Sequence, residues 1–207
     1  MNRHRIAATG VAVVLLGGLA TACSSPVSTA EEQDVVQYTA DYPTYRSGAQ
    51  LVSTADLVVR GTVVASRVEE QHPEPATGAD PVANPQAGVD PAEAAAVPPV
   101  VVTISTLRVE EVVKGDAAVG DTVEVAQLGG ELAGVTYVDK ETTTLRADGT
   151  DYLVALADHG DAPYDLLNPQ QALYVVEGGR LSAVSPENTL SLRTLTEVRK
   201  LGVQPLN

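Results

Sequence analysis

The sequence predicts an all-β domain with short flanking helices. The expected form is a small closed or partly open barrel, with a β-sandwich as the alternative. Three observations predict it. About six or seven apolar runs rich in valine and leucine are separated by glycine- or proline-bearing turns. Helical patterning is confined to two short segments, near residues 47–54 and 194–202. With no tryptophan, no phenylalanine and seven tyrosines, the core must be built from Val, Leu, Ile and Ala, with Tyr at its margins.

The chain opens MNRHRIAATGVAVVLLGGLATAC, with Arg3 and Arg5 ahead of an apolar stretch from Ile6 to Ala22. A basic start, an apolar middle and small residues before a processing point are the layout of a secretory signal, expected over residues 1–22. Gly10, Gly17 and Gly18 dilute the stretch, and it is shorter than the roughly 20 strongly apolar residues a membrane-spanning helix needs. Cys23, the only cysteine, follows Leu19-Ala20-Thr21-Ala22 and precedes the polar Ser24-Ser25-Pro26. These residues resemble the lipobox of bacterial lipoproteins, although Ala20 stands three before the cysteine, where leucine is commoner. The resemblance covers the leader alone. It implies that the thiol of Cys23 receives a diacylglycerol, that cleavage occurs just before it, and that the mature protein is lipid-anchored at the extracytoplasmic face of the cell membrane. Several acyl chains give the stable attachment that a single chain does not.

Residues 23–41 are rich in Ser, Thr, Ala, Glu and Asp and are expected to form a flexible tether. One β-domain is expected over 42–207. Ser47 and Gln50 stand at capping-box spacing ahead of Leu51 and Val52, predicting one or two helical turns. DLVVRGTVVASRVE (56–69) reads as a long strand, with Gly61 marking a bulge or bend. Residues 71–99 hold more than half of the chain's 13 prolines and almost no branched apolar residue. They are expected to be a disordered insertion.

PVVVTISTLRVEEVVKGD (99–116) carries the strongest strand pattern, and DTVEVAQLG (121–129) a shorter one. After Val135, Tyr137 and Val138 comes a polar run to Leu145. Asp148-Gly149 then turns into the buried strand DYLVALA (151–157). Residues 158–170 read as loop, and ALYVVEGGRLSAV (172–184) as a hairpin about Gly178-Gly179. Thr194 and Glu197 cap a closing helix that gathers Leu195, Val198 and Leu201 on one face and stops at Gly202.

The succession ADLVVRGTVV, VEEVVKGD, GDTVEVAQLGG and LRADGTDYLVALA, over about residues 54–158, is similar to the tissue-inhibitor/netrin-like group of oligonucleotide-binding-type barrels and to bacterial lipoproteins carrying that barrel. The resemblance implies that 71–99 is inserted between the first two strands and that Gly61 lets the first strand turn a corner. It does not imply the animal inhibitors' activity. Their metal-binding amine belongs to disulfide-tied N-terminal cysteines, whereas Cys23 has no disulfide partner here.

Removing residues 1–22 takes Arg3 and Arg5, leaving 11 basic residues against all 27 acidic ones, a net charge of −16 with histidines neutral. Such acidity excludes nucleic acid as a partner and leaves membrane affinity to the acyl anchor on Cys23. No nucleophile-elbow motif is present. His72 lies in the Pro-rich insertion. His159, in ADHGD beside Asp158 and Asp161, is the candidate for a His–Asp pair. Asp158, Asp161 and Asp165 supply oxygen donors around Gly160 without the spacing of a calcium loop. Glu110-Glu111 and Glu31-Glu32 are adjacent pairs, which regular strands point to opposite faces. The Thr-rich Glu141–Thr144 run could form an exposed strand that binds a partner edge to edge.

No metal or cofactor is expected, and no catalytic set is assigned. The expected role is a surface-tethered, non-catalytic binding or scaffold domain whose partner is an envelope protein or glycan. The alternative is an extracytoplasmic hydrolase assembled near His159.

Overall fold

A computed structural model describes residues 34–72, 88–94, 96 and 98–203. Contacts divide the chain into Met1–Glu32 and Gln33–Asn207. The expected signal peptide, Cys23, the tether up to residue 33 and most of the Pro-rich insertion lie outside the described residues.

The core is all-β, in mixed and partly open sheets flanked by short helices. The strands are β1 (Val35–Tyr38), β2 (Leu57–Gln71), β3 (Val100–Lys114), β4 (Thr122–Leu128), β5 (Gly130–Leu132), β6 (Val135–Asp139), β7 (Asp151–Ala157), β8 (Tyr164–Leu166), β9 (Leu173–Glu177) and β10 (Arg180–Ala183). The helices are α1 (Gly48–Thr54), α2 (Pro91–Ala94) and α3 (Leu195–Gly202). One sheet has the order β1-β6-β5, and the other β10-β9-β7-β2-β3-β4-β8. Strand β8 runs parallel to β4 and also pairs antiparallel with β7. A hydrogen-bonded path therefore leads from β7 through β2, β3, β4 and β8 back to β7.

Two 15-residue strands dominate the domain, β2 and β3. Strands of that length cannot pack flat around a small core, and their pairing is interrupted at Val58/Val59, Arg60/Gly61 and Val63/Ala65. The sequence anticipates the irregularity at Gly61, and the structure supplies its cause. A Cβ built there would lie 2.1 Å from the Arg108 carbonyl oxygen, so only glycine lets β3 come so close.

Strand β7 is buried from Tyr152 to Leu156 because both of its faces are covered. Leu153 and Ala155 face a small apolar gap shared with Val58, Leu51 and Val198, which places both cap helices on that side. Val154 and Leu156, on the alternate face, are fully buried with Val59, Leu107 and Val125. Val102, Ile104 and Ala126 form a separate, smaller apolar cluster.

Both expected helix starts are present. The Ser47 hydroxyl accepts from the Gln50 amide (3.1 Å) while Gln50 Oε1 accepts from the Arg46 amide (2.9 Å). The Thr194 hydroxyl accepts from the Glu197 amide. Gly202 differs from its expected role. It is the last residue of α3, and its missing side chain admits the Val113 carbonyl, which would lie 2.6 Å from a Cβ. The glycine is there for close approach rather than for a left-handed stop.

The C-terminus of α1 is capped from another element. Lys114 Nζ donates to the carbonyls of Val52 (3.1 Å), Ser53 (2.7 Å) and Ala55 (2.5 Å), placing a cation where the helix carbonyls are unsatisfied. We expect Lys114→Met, which keeps the stem, to lower stability by about 1–2 kcal/mol in urea titrations. An unchanged midpoint would show that water replaces the ammonium without loss.

Strands also appear where none is expected. Strand β1 lies inside the stretch read as tether, β5 starts at the Gly129-Gly130 turn, and β8 lies inside the 158–170 loop. Conversely, Glu141–Thr144 forms no strand. The buried Gln127 holds it instead, donating through Nε2 to the Thr143 carbonyl and accepting through Oε1 from the Leu145 amide.

Candidate functional site

Where β8 and the loop before it meet β3, β4 and the end of β7, the domain contains a cavity of about 420 Å3. That lies within the range of small-molecule sites, roughly 300–1,000 Å3. Its walls are largely apolar, formed by Val100 and Val102 of β3, Ala126 and Leu128 of β4, and Leu166 of β8. Ala40, Tyr42 and Pro43 close one side. This segment is tied down along its length. The Ala40 amide donates to Asp139 (3.3 Å), Asn168 Nδ2 donates to the Pro43 carbonyl (3.0 Å), and the Gln171 amide brackets Tyr45 on both its N–H and its C=O.

The cavity's polar side chains include His159, Asp165, Tyr42 and Thr142. His159 Nε2 lies 3.1 Å from Asp165 Oδ2, and each side chain keeps about half of its surface in solvent. Asp158, expected as a partner of the histidine, instead shapes the turn, its Oδ1 accepting from the Gly160 amide (2.8 Å). The ADHGD loop thus presents His159 to a residue of β8. The surrounding walls push the Asp165 carboxyl above its ordinary value, against the pull of His159. Because half of the side chain remains wet, solvent screens that pair. Burial likewise raises the Tyr42 phenol, with the neighbouring Thr142 hydroxyl opposing the effect and Asp139, Glu141 and Asp165 adding to it. The Thr142 hydroxyl oxygen is itself buried.

This arrangement can hold an apolar body and meet a polar group at one end. Among the described residues that line the cavity, the hydroxyl groups are those of Tyr42 and Thr142 rather than a serine. Among the described residues, no three His, Cys, Asp or Glu side chains gather in a metal-holding group, including the Asp158, Asp161 and Asp165 set. His72 ends the described part of β2's neighbourhood and does not line the cavity. Sequence reading found His159 and Asp165 but did not pair them; it took Thr142 only as part of the Thr-rich run, and it did not single out Tyr42.

A second polar cluster, none of whose residues lines the cavity, joins β2, β3 and β7. Arg60 Nε donates to Asp151 (2.7 Å) and its Nη2 to Glu110 (3.1 Å), while Glu111 approaches Nη1 at 3.9 Å. Arg199 grips Glu111 through two hydrogen bonds. Glu110 and Glu111, expected on opposite faces, both reach Arg60. Pairing runs from Arg60↔Glu111 to Gly61↔Val109, so Glu110 is the extra residue of a bulge and leaves the alternation.

No family model matches the chain, and no curated protein matches it. The functional argument therefore rests on the site itself.

Proposed function

We propose that this chain is an exported lipoprotein, anchored at the extracytoplasmic face of the cell membrane through acylated Cys23, and that its β-domain is a non-catalytic binding module. The observation that carries the binding role is the cavity beside β8, with apolar walls, a few polar groups at one end and a volume suited to a small ligand. The leader and the lone Cys23 support the anchor. The returning path β7-β2-β3-β4-β8-β7 supports reading these strands as a small, partly open barrel of the oligonucleotide-binding type. The excess of acid over base and the lack of Phe and Trp argue against nucleic acid as its ligand.

Anchoring is tested by feeding cells a fatty acid that carries a click handle. Wild type should take up the label and fractionate with membranes, and Cys23→Ala should do neither. An unlabelled wild-type protein would overturn the anchor. Binding is tested by recovering envelope partners, protein or glycan, with the acylated protein and with a soluble 34–207 chain. The soluble chain must begin before β1 because that strand pairs with β6. Recovery of the same partners by both would place the function in the domain, and recovery by neither would count against a scaffold role.

A further inference from the structure

The cavity's polar end is acidic and has no compensating cation of the lysine or arginine type. Asp165 is its carboxylate, and Asp139 and Glu141, which do not line the cavity, add negative potential at Tyr42. Among the described residues, no lysine or arginine lines the cavity, and its nitrogen base is His159. The neutral groups offer little to a ligand, since the Thr142 hydroxyl lies beside the Tyr42 phenol and both polar atoms of the Gln127 amide are already engaged. An anionic ligand would meet the Asp165 carboxylate, and the nitrogen base His159 is already paired with that carboxylate. A neutral apolar ligand would leave the Asp165 carboxylate without use. A cation attached to an apolar body satisfies both parts of the site, because a charged donor on a carboxylate in a partly dry pocket is the strong kind of hydrogen bond.

We propose that this cavity binds a small organic cation, an ammonium carried on an aliphatic body, with the ammonium on Asp165 and the body against Val100, Val102 and Leu128. The inference rests on the cavity being a binding site, as proposed above, and adds the chemical class of its ligand. His159 already sits on one oxygen of the carboxylate that the ammonium would use. It therefore competes with the ligand rather than holding it.

Three probes with one aliphatic body and different ends separate the outcomes: 2-cyclohexylethylamine, 2-cyclohexylethanol and cyclohexylacetate. Each is titrated into the full chain purified from its membrane, with binding followed by ligand-observed NMR. The amine should bind, the alcohol about tenfold more weakly, and the carboxylate more weakly still, tenfold being the usual scale for one charge-assisted hydrogen bond. Asp165→Asn, which preserves shape at a half-exposed position, should weaken the amine about tenfold and leave the alcohol unchanged. His159→Gln should leave amine binding equal or tighter. Alcohol or carboxylate binding as tight as the amine, or an Asp165→Asn protein that binds the amine like wild type, would overturn the cation while leaving a binding cavity in place. Equal losses in Asp165→Asn and His159→Gln would show that the pair only shapes the loop, and would also overturn it. Failure of all three probes would count against the cavity as a small-molecule site altogether.

Discussion

Gly61→Ala should destabilise the domain by about 3 kcal/mol, a large effect for one methyl group. For a domain of this size that is a fall in melting temperature of about 6–12 °C. The added Cβ would lie 2.1 Å from the Arg108 carbonyl oxygen and 3.0 Å from its carbon. These are backbone atoms of the neighbouring strand and cannot rotate away. Relief requires β3 to move relative to β2, which would break the longest ladder in the structure and disturb Leu107 and Val109 in the core. Gly149→Ala is the useful comparison. Gly149 has a φ of +83° with nothing within 4 Å of a Cβ, so its penalty is conformational and should be about 1 kcal/mol. Thermal unfolding of the two variants separates the mechanisms. Equal losses would mean that the β2–β3 approach relaxes at little cost.

Arg60→Met should cost about 2–3 kcal/mol near neutral pH, less than the full penalty for a deeply buried pair because the cluster keeps some solvent contact. Removing the guanidinium leaves Asp151, Glu110 and Glu111 facing one another, with Arg199 reaching only Glu111. Asp151 Oδ1 is already buried without a hydrogen bond, and burial holds this carboxyl above its ordinary value despite Arg60. A raised carboxyl favours the protonated folded state. Its contribution is present in acid and is lost as pH rises through the folded value. Glu111 is the opposite case. Arg199 holds it below its ordinary value, so its contribution is present above the carboxylate range and is lost as pH falls through the depressed value. The Arg60→Met deficit should therefore be largest at about pH 7 and shrink towards about pH 4, where Asp151 takes up a proton more readily. Urea titrations at both pH values provide the check. A deficit independent of pH would assign the loss to packing of the arginine stem instead.

The clearest parts of the fold in the sequence are those whose causes are local. Ser47 with Gln50 and Thr194 with Glu197 are caps formed within one turn. The hairpin joining β9 to β10 is set by its own Gly-Gly turn, where both glycines have positive φ. DYLVALA reads as buried because its apolar run is continuous. What escaped reading depends on distant partners. Val35–Tyr38 is a strand because Thr136–Asp139 lies beside it, about a hundred residues on. Tyr164–Leu166 is too short to show a period and is held by β4 and β7. The bulge at Glu110 is set by how β3 passes Arg60 and Gly61, not by any unusual residue of its own. The cavity is the extreme case. Tyr42, Thr142 and the His159–Asp165 pair come from three separate stretches of chain, and none carries a pattern that names the others.

The course of the chain at β1 has a mechanical side. Residues 40–43, which wall the cavity, follow directly after β1. Because β1 runs parallel to β6, that wall is held on its N-terminal side by a four-residue ladder. On its other side stand the Asn168 and Gln171 attachments to Pro43 and Tyr45. The cavity wall is thus a short span of chain clamped at both ends, by backbone pairing at one and by side-chain amides at the other.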